Sequence, residues 1–361
     1  MSAPAPAAGL SFTTLAPERY TSPEAFAREA EGPLCREWTC VAREDQLAEP
    51  GSYLAFDLLG EPLVAVRGED RVLRVLSRVC RHRFMPLVEP GCGRARALQC
   101  PYHRWSYALD GRLVGAPDMQ RTPGFERRAI ALPQLPVEIW QGFVFTTLDP
   151  DAAPLAPRLA PLAERIAAWE IAELRTLEPL VFEHDWNWKI MVENFIESYH
   201  HQGPHLDSLQ PVAPASGTWA EDTSGPFIVL HNPSKDGAPL PALFAPRPKL
   251  SAEQRAEFLV GAVFPHLMFS LQPDGMLWYR MEILGPDRFR LSIHPCLPAE
   301  DADDGFAQRV ELLRSFVDGV HREDITACSG VQRGVRARLA QAGPLSLLEK
   351  PIAQFHRWLA S

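Results

Sequence analysis

Two short segments, Cys80-Arg81-His82 and Cys100-Pro101-Tyr102-His103, constrain this 361-residue chain more than any other feature. Together they read C-x-H, seventeen intervening residues, then C-x2-H. Two thiolates and two imidazoles at the tips of paired loops can hold a metal centre. Zinc is the plainest occupant, but zinc knuckles normally use C-x2-C, in which two sulfurs flank a tight turn. C-x-H paired with C-x2-H suits instead a two-iron, two-sulfide cluster whose thiolates take one iron and whose imidazoles take the other.

The surrounding pattern says what carries those loops. Short runs with strand character, Trp38–Arg43, Tyr53–Leu58, Leu63–Arg67 and Val72–Leu76, are separated by Gly-, Pro- and Asp-containing turns, which predicts a small antiparallel β-domain over residues 1–150. Between Asp149 and Leu162 four prolines mark a domain connection, and the pattern then changes. Helices are expected over Pro161–Ala172 and Trp188–His201. Strands are expected near Phe227–His231, Val263–Leu271, Met276–Leu284 and Arg288–Pro295, with a long helix from Phe306. Residues 151–361 therefore read as a second, α+β domain. The stretch Gly203–Pro248 has no clear periodicity, as expected of a lid or pocket wall.

A second dense segment lies at Asn194-Phe195-Ile196-Glu197-Ser198-Tyr199-His200-His201-Gln202-Gly203-Pro204-His205. On a continuous helix Asn194, Glu197 and His200 share a face, and Gly203-Pro204 would end that helix before His205. Two imidazoles joined by a carboxylate from elsewhere would make the open two-histidine, one-carboxylate site of non-haem Fe(II) oxygenases. His201 and His205 also have the H-x3-H spacing of helical zinc sites, which Pro204 opposes. Downstream, Phe306, Val310, Leu313, Val317, Val320, Asp324, Ala327 and Val331 make the apolar stripe of one helix, on which Asp324 is the only charge. A buried carboxylate needs a partner, either a metal or a salt bridge. Glu323 and Asp318 lie off the stripe and are expected to face solvent.

With their neighbours, these segments resemble the large (α) subunit of Rieske non-haem iron oxygenases, the group that includes ring-hydroxylating dioxygenases and choline, glycine betaine and stachydrine oxygenases. The resemblance rests on Cys80-Arg81-His82-Arg83, Cys100-Pro101-Tyr102-His103-Arg104-Trp105, Leu109-Asp110-Gly111-Arg112-Leu113, Trp186-Asn187-Trp188-Lys189, Glu193-Asn194, the E-x2-H-x4-H run from Glu197 to His205, Glu323-Asp324 and Gln332-Arg333-Gly334. It spans about Tyr20 to Trp358. The resemblance implies an N-terminal antiparallel β Rieske domain followed by an α+β, helix-grip-like catalytic domain with a central antiparallel sheet. It implies a [2Fe-2S] cluster on Cys80, His82, Cys100 and His103, and mononuclear Fe(II) on His200, His205 and Asp324. Glu197 takes the position of the carboxylate that bridges neighbouring subunits for electron transfer, where the family often has Asp. Asn194 is read as a hydrogen-bonding neighbour of the iron, with an ordinary helix-face bond as the alternative.

The implied function is that of a terminal oxygenase using O2 and NAD(P)H-derived electrons, delivered by a separate reductase with or without a ferredoxin. It would hydroxylate a small organic molecule, by oxidative N-demethylation of a quaternary ammonium compound or by mono- or dioxygenation of an aromatic ring. A homotrimer is implied, because the family places the cluster of one subunit beside the iron of the next. Two readings outside this class are a Rieske-type electron carrier and a zinc-stapled binding protein without oxygenase activity.

Composition narrows the partners. The formal net charge of -9 disfavours nucleic acid and anionic membrane surfaces. The longest apolar run, Leu259 to Leu271, contains Pro265 and His266 and is too short to span a bilayer. Met1–Leu10 lacks a basic start and an apolar core, so a cytoplasmic location is expected. Cys35 and Cys40 have the C-x4-C spacing that opens a plant-type ferredoxin motif, but Arg43 stands where its third cysteine would fall, and with Cys92, Cys296 and Cys328 they are expected to be ordinary thiols.

Overall fold

The computed structural model of the protein describes residues 10–299 and 303–360. The described chain divides into two compact units, one of Cys35–Ala153 and one of the remaining described residues. The expected division near residue 150 meets the Pro-rich connection, but the residues before Cys35 group with the second half instead of the first. Charge pairing explains this. Lys189 is fully buried with its Nζ 2.7 Å from Oε2 of Glu29, at the end of helix α1 (Pro23–Glu31), and Tyr20 donates to Glu193 at 2.8 Å. Neither ion could be buried without its partner.

In the unit of residues 35–153, strands β1 (Thr39–Arg43), β10 (Val137–Trp140) and β11 (Phe143–Thr146) form an antiparallel sheet in the order β1-β11-β10. A five-stranded antiparallel sheet runs β5 (Gly91–Arg94), β2 (Ser52–Leu58), β3 (Glu61–Arg67), β4 (Leu73–Ser77), β9 (Gln134–Leu135). Three short strands, β6 (Leu98–Gln99), β7 (Ser106–Tyr107) and β8 (Leu113–Gly115), make a third. β3 reads Leu-Val-Ala-Val without polar alternation because both its faces are covered. Val64 and Val66 enter one apolar cluster, while Leu63 and Ala65 enter another. The first of these clusters continues to Cys80, Cys100, Trp105 and Tyr107, so the paired loops grow directly out of a packed core.

The second unit is built on an eight-stranded antiparallel sheet. Its order is β12 (Arg175–Thr176), β19 (Arg288–Leu297), β18 (Gly275–Gly285), β17 (Leu267–Gln272), β16 (Glu257–Val263), β15 (Phe227–Pro233), β14 (Trp219–Ala220), with β13 (Leu180–His184) also paired to β19. The apolar run expected as one strand, Val263–Leu271, is two strands joined by a turn at Phe264-Pro265-His266, since Pro265 cannot serve a sheet interior. Gly261 in β16 is required by close approach: the Phe269 ring of β17 lies across it, and a Cβ would come within 2.3 Å of that ring.

Five helices complete this unit among the described residues, α1 with α2 (Ala160–Ile166), α3 (Trp188–Phe195), α4 (Phe306–Val335) and α5 (Lys350–Leu359), apart from shorter turns. The helix expected over Pro161–Ala172 stops at Ile166 and continues as 3-10 turns. On α4 the fully buried face is Val317, His321, Asp324, Cys328 and Gln332, rotated from the expected Ala327 and Val331, and Val331 is exposed. Polar partners decide that rotation. His321 meets His184 of β13 at 3.0 Å, and Gln332 accepts the Asn187 N–H at 2.7 Å. No helix among the described residues is long and apolar enough to cross a membrane.

Candidate metal centres

The two cysteine–histidine loops are built alike. In the first, Phe84 N–H donates to Cys80 C=O at 3.0 Å and Cys80 N–H to Met85 C=O at 2.9 Å. In the second, Arg104 N–H donates to Cys100 C=O at 3.1 Å and Cys100 N–H to Trp105 C=O at 2.7 Å. Each loop closes through a left-handed residue, Phe84 at φ 58° and Arg104 at φ 61°, which turns the chain back sharply enough to bring its Cys and His to one side. The His82 and His103 rings lie 4.7 Å apart, and Trp105 stacks on His82 at 4.8 Å.

The Nδ1 atoms of His82 and His103 are shielded from water and have no hydrogen-bond partner among the described residues, although the rings are only half-buried. A shielded imidazole nitrogen without a partner is costly unless something ligates it. Two such nitrogens beside two buried thiols fit a cluster of two irons. Tyr107, which the sequence did not single out, accepts Arg81 N–H at 3.0 Å and thereby directs its own hydroxyl proton to Cys80 Sγ, 3.4 Å away. Burial first, and then the Cys80 contact, push the Tyr107 hydroxyl well above its ordinary pKa, so it stays a donor.

The second centre forms where a helix fails. The continuous helix expected to His201 ends at Phe195 and resumes as a 3-10 turn over Tyr199–Gln202. Glu197 supplies the physical reason. Its Oε2 accepts His200 N–H at 3.1 Å, capping the new turn, and its Oε1 takes His200 Nδ1 at 2.7 Å. His205 follows after Gly203-Pro204. One potential ligand atom from each of His200, His205 and Asp324 lies within 4.8 Å of the others. The two Nε2 atoms face the same oxygen, Asp324 Oδ1, at 3.6 Å and 3.0 Å. Asn194 Nδ2 donates to that oxygen at 2.9 Å, so Asn194 does touch the centre, and Cys328 Sγ donates to Asn194 Oδ1 at 3.3 Å.

Burial would raise the Asp324 carboxyl, but His205, His200 and Asn194 outweigh it and hold it below the usual carboxylate range. A fixed anion facing two outward-directed imidazole nitrogens is the donor set of a divalent iron with open positions. His201 is a neighbour of the centre, its ring 5.3 Å from that of His200 and 5.6 Å from that of His205, but it is not one of the three converging groups. Its Nδ1 donates to Ala213 C=O at 3.1 Å, and burial pushes its pKa down to about 4.

Glu323 corrects the expectation of a solvated side chain. Its Oε2 accepts from His205 Nδ1 at 2.7 Å and from Ser208 Oγ at 2.6 Å. Each histidine of the centre therefore has its own carboxylate behind it, the arrangement that fixes tautomer and ring orientation in metal sites. Asp318 is partly exposed and takes no part in the centre, its carboxylate being ion-paired with Arg322.

The centre closes one end of a cavity of about 510 Å³ between the sheet and α4. Tyr279 lines it, with Phe195 packed on that ring at 4.6 Å, whereas Trp278, the alternate residue on β18, is buried on the opposite face against His294.

The family described as "Ring hydroxylating alpha subunit (catalytic domain)" matches residues 166–361, and the "Rieske [2Fe-2S] domain" matches residues 37–134. The chain belongs to the Rieske oxygenase α-subunit family. The two domains are those that carry a Rieske [2Fe-2S] cluster and a mononuclear iron. Among Rieske oxygenase relatives, the carnitine monooxygenase oxygenase subunit of Acinetobacter pittii (strain PHEA-2) is 36% identical over 197 residues, 53% of this chain and 53% of that protein. The match thus spans about half of that relative's length.

The glycine betaine monooxygenase oxygenase subunit of Chromohalobacter salexigens is 32% identical, covering 91% of this chain and 80% of its own. A quaternary ammonium Rieske monooxygenase solved with L-carnitine superposes with a TM-score of 0.82 at 27% identity, over 96% of this chain and 95% of that one. Naphthalene 1,2-dioxygenase from a Rhodococcus species shares the fold, with a TM-score of 0.83 at 21% identity over 96% and 93% of the two chains.

Proposed function

We propose that this chain is the terminal oxygenase of a multicomponent system that hydroxylates a carbon next to nitrogen in an N-alkylated amine or ammonium compound. The observation that carries the reading is the pairing, within one chain, of a shielded Cys/His/Cys/His loop pair with a convergent His200, His205, Asp324 centre opening onto a cavity. Cys80, His82, Cys100 and His103 would hold the cluster, and His200, His205 and Asp324 the iron. When bound, the cluster supplies single electrons and the iron supplies oxygen-activating chemistry. The overall balance is one C–H bond, O2, two electrons and two protons giving one C–OH bond and water. A hydroxyl on a carbon attached to nitrogen makes that C–N bond labile, which favours the amine substrates named for the relatives.

The chain's own groups prepare the centre. Glu197 and Glu323 hold the Nδ1 protons of His200 and His205, so the Nε2 lone pairs face the cavity end. Asn194 fixes the Asp324 rotamer. The mostly apolar surface of the cavity wall would keep water from the reacting carbon. In this reading Glu197 would bridge to a neighbouring subunit's cluster histidine in a head-to-tail homotrimer. A separate NAD(P)H-dependent reductase supplies the electrons, directly or through a ferredoxin, and the cytoplasm is the proposed location.

The test is iron, labile-sulfide and visible-spectrum analysis of anaerobically purified protein. About three irons and two sulfides per chain, with a spectrum bleached by dithionite, is the expected result. Zinc without sulfide would refute the reading, and two irons with two sulfides would leave an electron carrier.

A further inference from the structure

The cavity runs along α4 from the metal centre to the surface. Asp324, Val320, Val317, Phe316, Leu313 and Leu312 all line it. Twelve residues of helix separate Asp324 from Leu312, which corresponds to roughly 18 Å along the axis. The outer end is apolar as well as open: Leu312 and Phe316 are more than half exposed, and Leu243 beside them is exposed too. Across from the helix, Phe258, Val260 and Leu277 continue the apolar wall.

The charges that do line the cavity share one sign. Apart from histidines, its ionisable carboxylates are Glu197, Asp274 and Asp324, and no Lys or Arg is among the described lining residues. The residues outside the description contain no Lys or Arg either. Asp274 sits in the β17–β18 turn and accepts the N–H groups of Leu243 and Phe244. Of the neutral polar residues, Gln272 spends its amide on Ser270 at 2.8 Å. A carboxylate brought into such a site would be desolvated without a guanidinium or ammonium to meet it. At the inner end, the Phe195–Tyr279 ring pair lines the cavity together with the carboxylate side chains of Glu197 and Asp324, an aromatic and acidic surround that suits a cationic head.

We infer that the substrate is an amphiphile without a carboxylate, namely an N-methylated amine or ammonium head at the metal centre with a hydrocarbon tail along α4. This rests on the oxygenase reading above and departs from the zwitterions, carnitine and glycine betaine, named for the relatives. An extended zwitterion of that size would fill only the inner part of an 18 Å groove and would place its carboxylate against aliphatic walls.

The experiment is calorimetric titration of the metal-loaded protein with n-butyl-, n-hexyl- and n-octyltrimethylammonium below their micelle concentrations, beside L-carnitine, glycine betaine and indole. Each added methylene is expected to tighten binding by roughly fourfold, and the two zwitterions are expected to bind at least 100-fold more weakly than the octyl compound. Val317→Arg, or the milder Leu313→Lys should the first misfold, is expected to weaken the octyl compound and strengthen L-carnitine.

Affinity independent of chain length, or zwitterions binding as tightly as the octyl compound, would overturn the inference while leaving the oxygenase reading intact. Binding of indole alone would overturn both the inference and the amine reading, and binding of none would overturn the inference. Iron and sulfide content of the same sample tests the oxygenase reading separately.

Discussion

Glu197 and Glu323 stand in matching relations to the two histidines of the proposed iron centre, so replacing each in turn separates two roles a carboxylate can have there. Glu197 Oε1 is 2.7 Å from His200 Nδ1, and Glu323 Oε2 is 2.7 Å from His205 Nδ1. A change to Gln keeps side-chain length and an accepting oxygen but removes the charge. Hydrogen bonds to charged groups contribute about 1.5–3 kcal/mol and neutral ones about 0.5–1.5, so the charge itself accounts for about 1 kcal/mol. The Glu323 side chain is 34% exposed, so solvent absorbs part of that difference. Glu323→Gln should therefore weaken Fe(II) binding about three- to fivefold. Glu323→Ala, which leaves the buried His205 without its acceptor, should weaken it about 10- to 100-fold.

If Glu197 only oriented His200, Glu197→Gln would cost a similar small factor in iron affinity and a similar small factor in turnover. If Glu197 also carries electrons between subunits, turnover should collapse while iron still binds. The assay is rapid mixing of reduced, iron-saturated protein with O2 and substrate, following return of the oxidised cluster's visible absorbance. Wild type and Glu323→Gln should re-oxidise at comparable rates, and Glu197→Gln should stay reduced. Re-oxidation of Glu197→Gln within tenfold of wild type would refute the bridging role.

Three further outcomes are expected. Tyr107→Phe removes a donor to Cys80 Sγ that favours the reduced, more negative cluster, so redox titration should show a potential lower by roughly 40–90 mV, the equivalent of about 1–2 kcal/mol for one electron. Glu29→Gln leaves the buried Lys189 ammonium without its counter-ion and should cost about 3–5 kcal/mol in urea unfolding, while Glu29→Leu with Lys189→Met should recover most of it. Burial pushes His184 down to about 3 and His266 to about 4, so below pH 6.5 the unfolded chain takes up protons that the folded one refuses. Stability is then complete above pH 6.5 and falls on acidification, by about 1.4 kcal/mol per pH unit for each group. A thermal midpoint whose pH dependence is unchanged in His266→Gln would contradict this.

Much of this site was legible because its chemistry is written in short, local spacings. Cys80, His82, Cys100 and His103 lie in two loops whose ends are fixed by neighbouring strands, and β2, β3 and α4 begin within two or three residues of where periodicity put them. What was not legible depended on groups far away in sequence. Glu323 was read as solvated because a helical stripe sorts residues only by distance from the core. It lies about 100° round the helix from Asp324, on the side where His205, from 118 residues earlier, happens to arrive. The break after Phe195 was hidden for a related reason: Glu197 caps a turn through its own side chain, and helical spacing cannot register that competition.

The polar residues of α4 show how one helix can carry both the proposed metal ligand Asp324 and a cavity wall. Its innermost face is unusually polar, yet His321 meets His184, Asp324 meets His205 and Asn194, Cys328 meets Asn194, and Gln332 meets Asn187. These directional contacts fix the rotation and height of the helix against β13 and α3, which aliphatic packing alone would leave free to slide. Because polar contacts set its position, the adjacent aliphatic face can remain unfilled and line the cavity with Leu313, Phe316, Val317 and Val320. A fully apolar inner face would have closed that space by collapse. The carboxylate of Asp324 is thus one of a row of polar pins, and the same row that aims it at the two histidines holds the cavity open beside it.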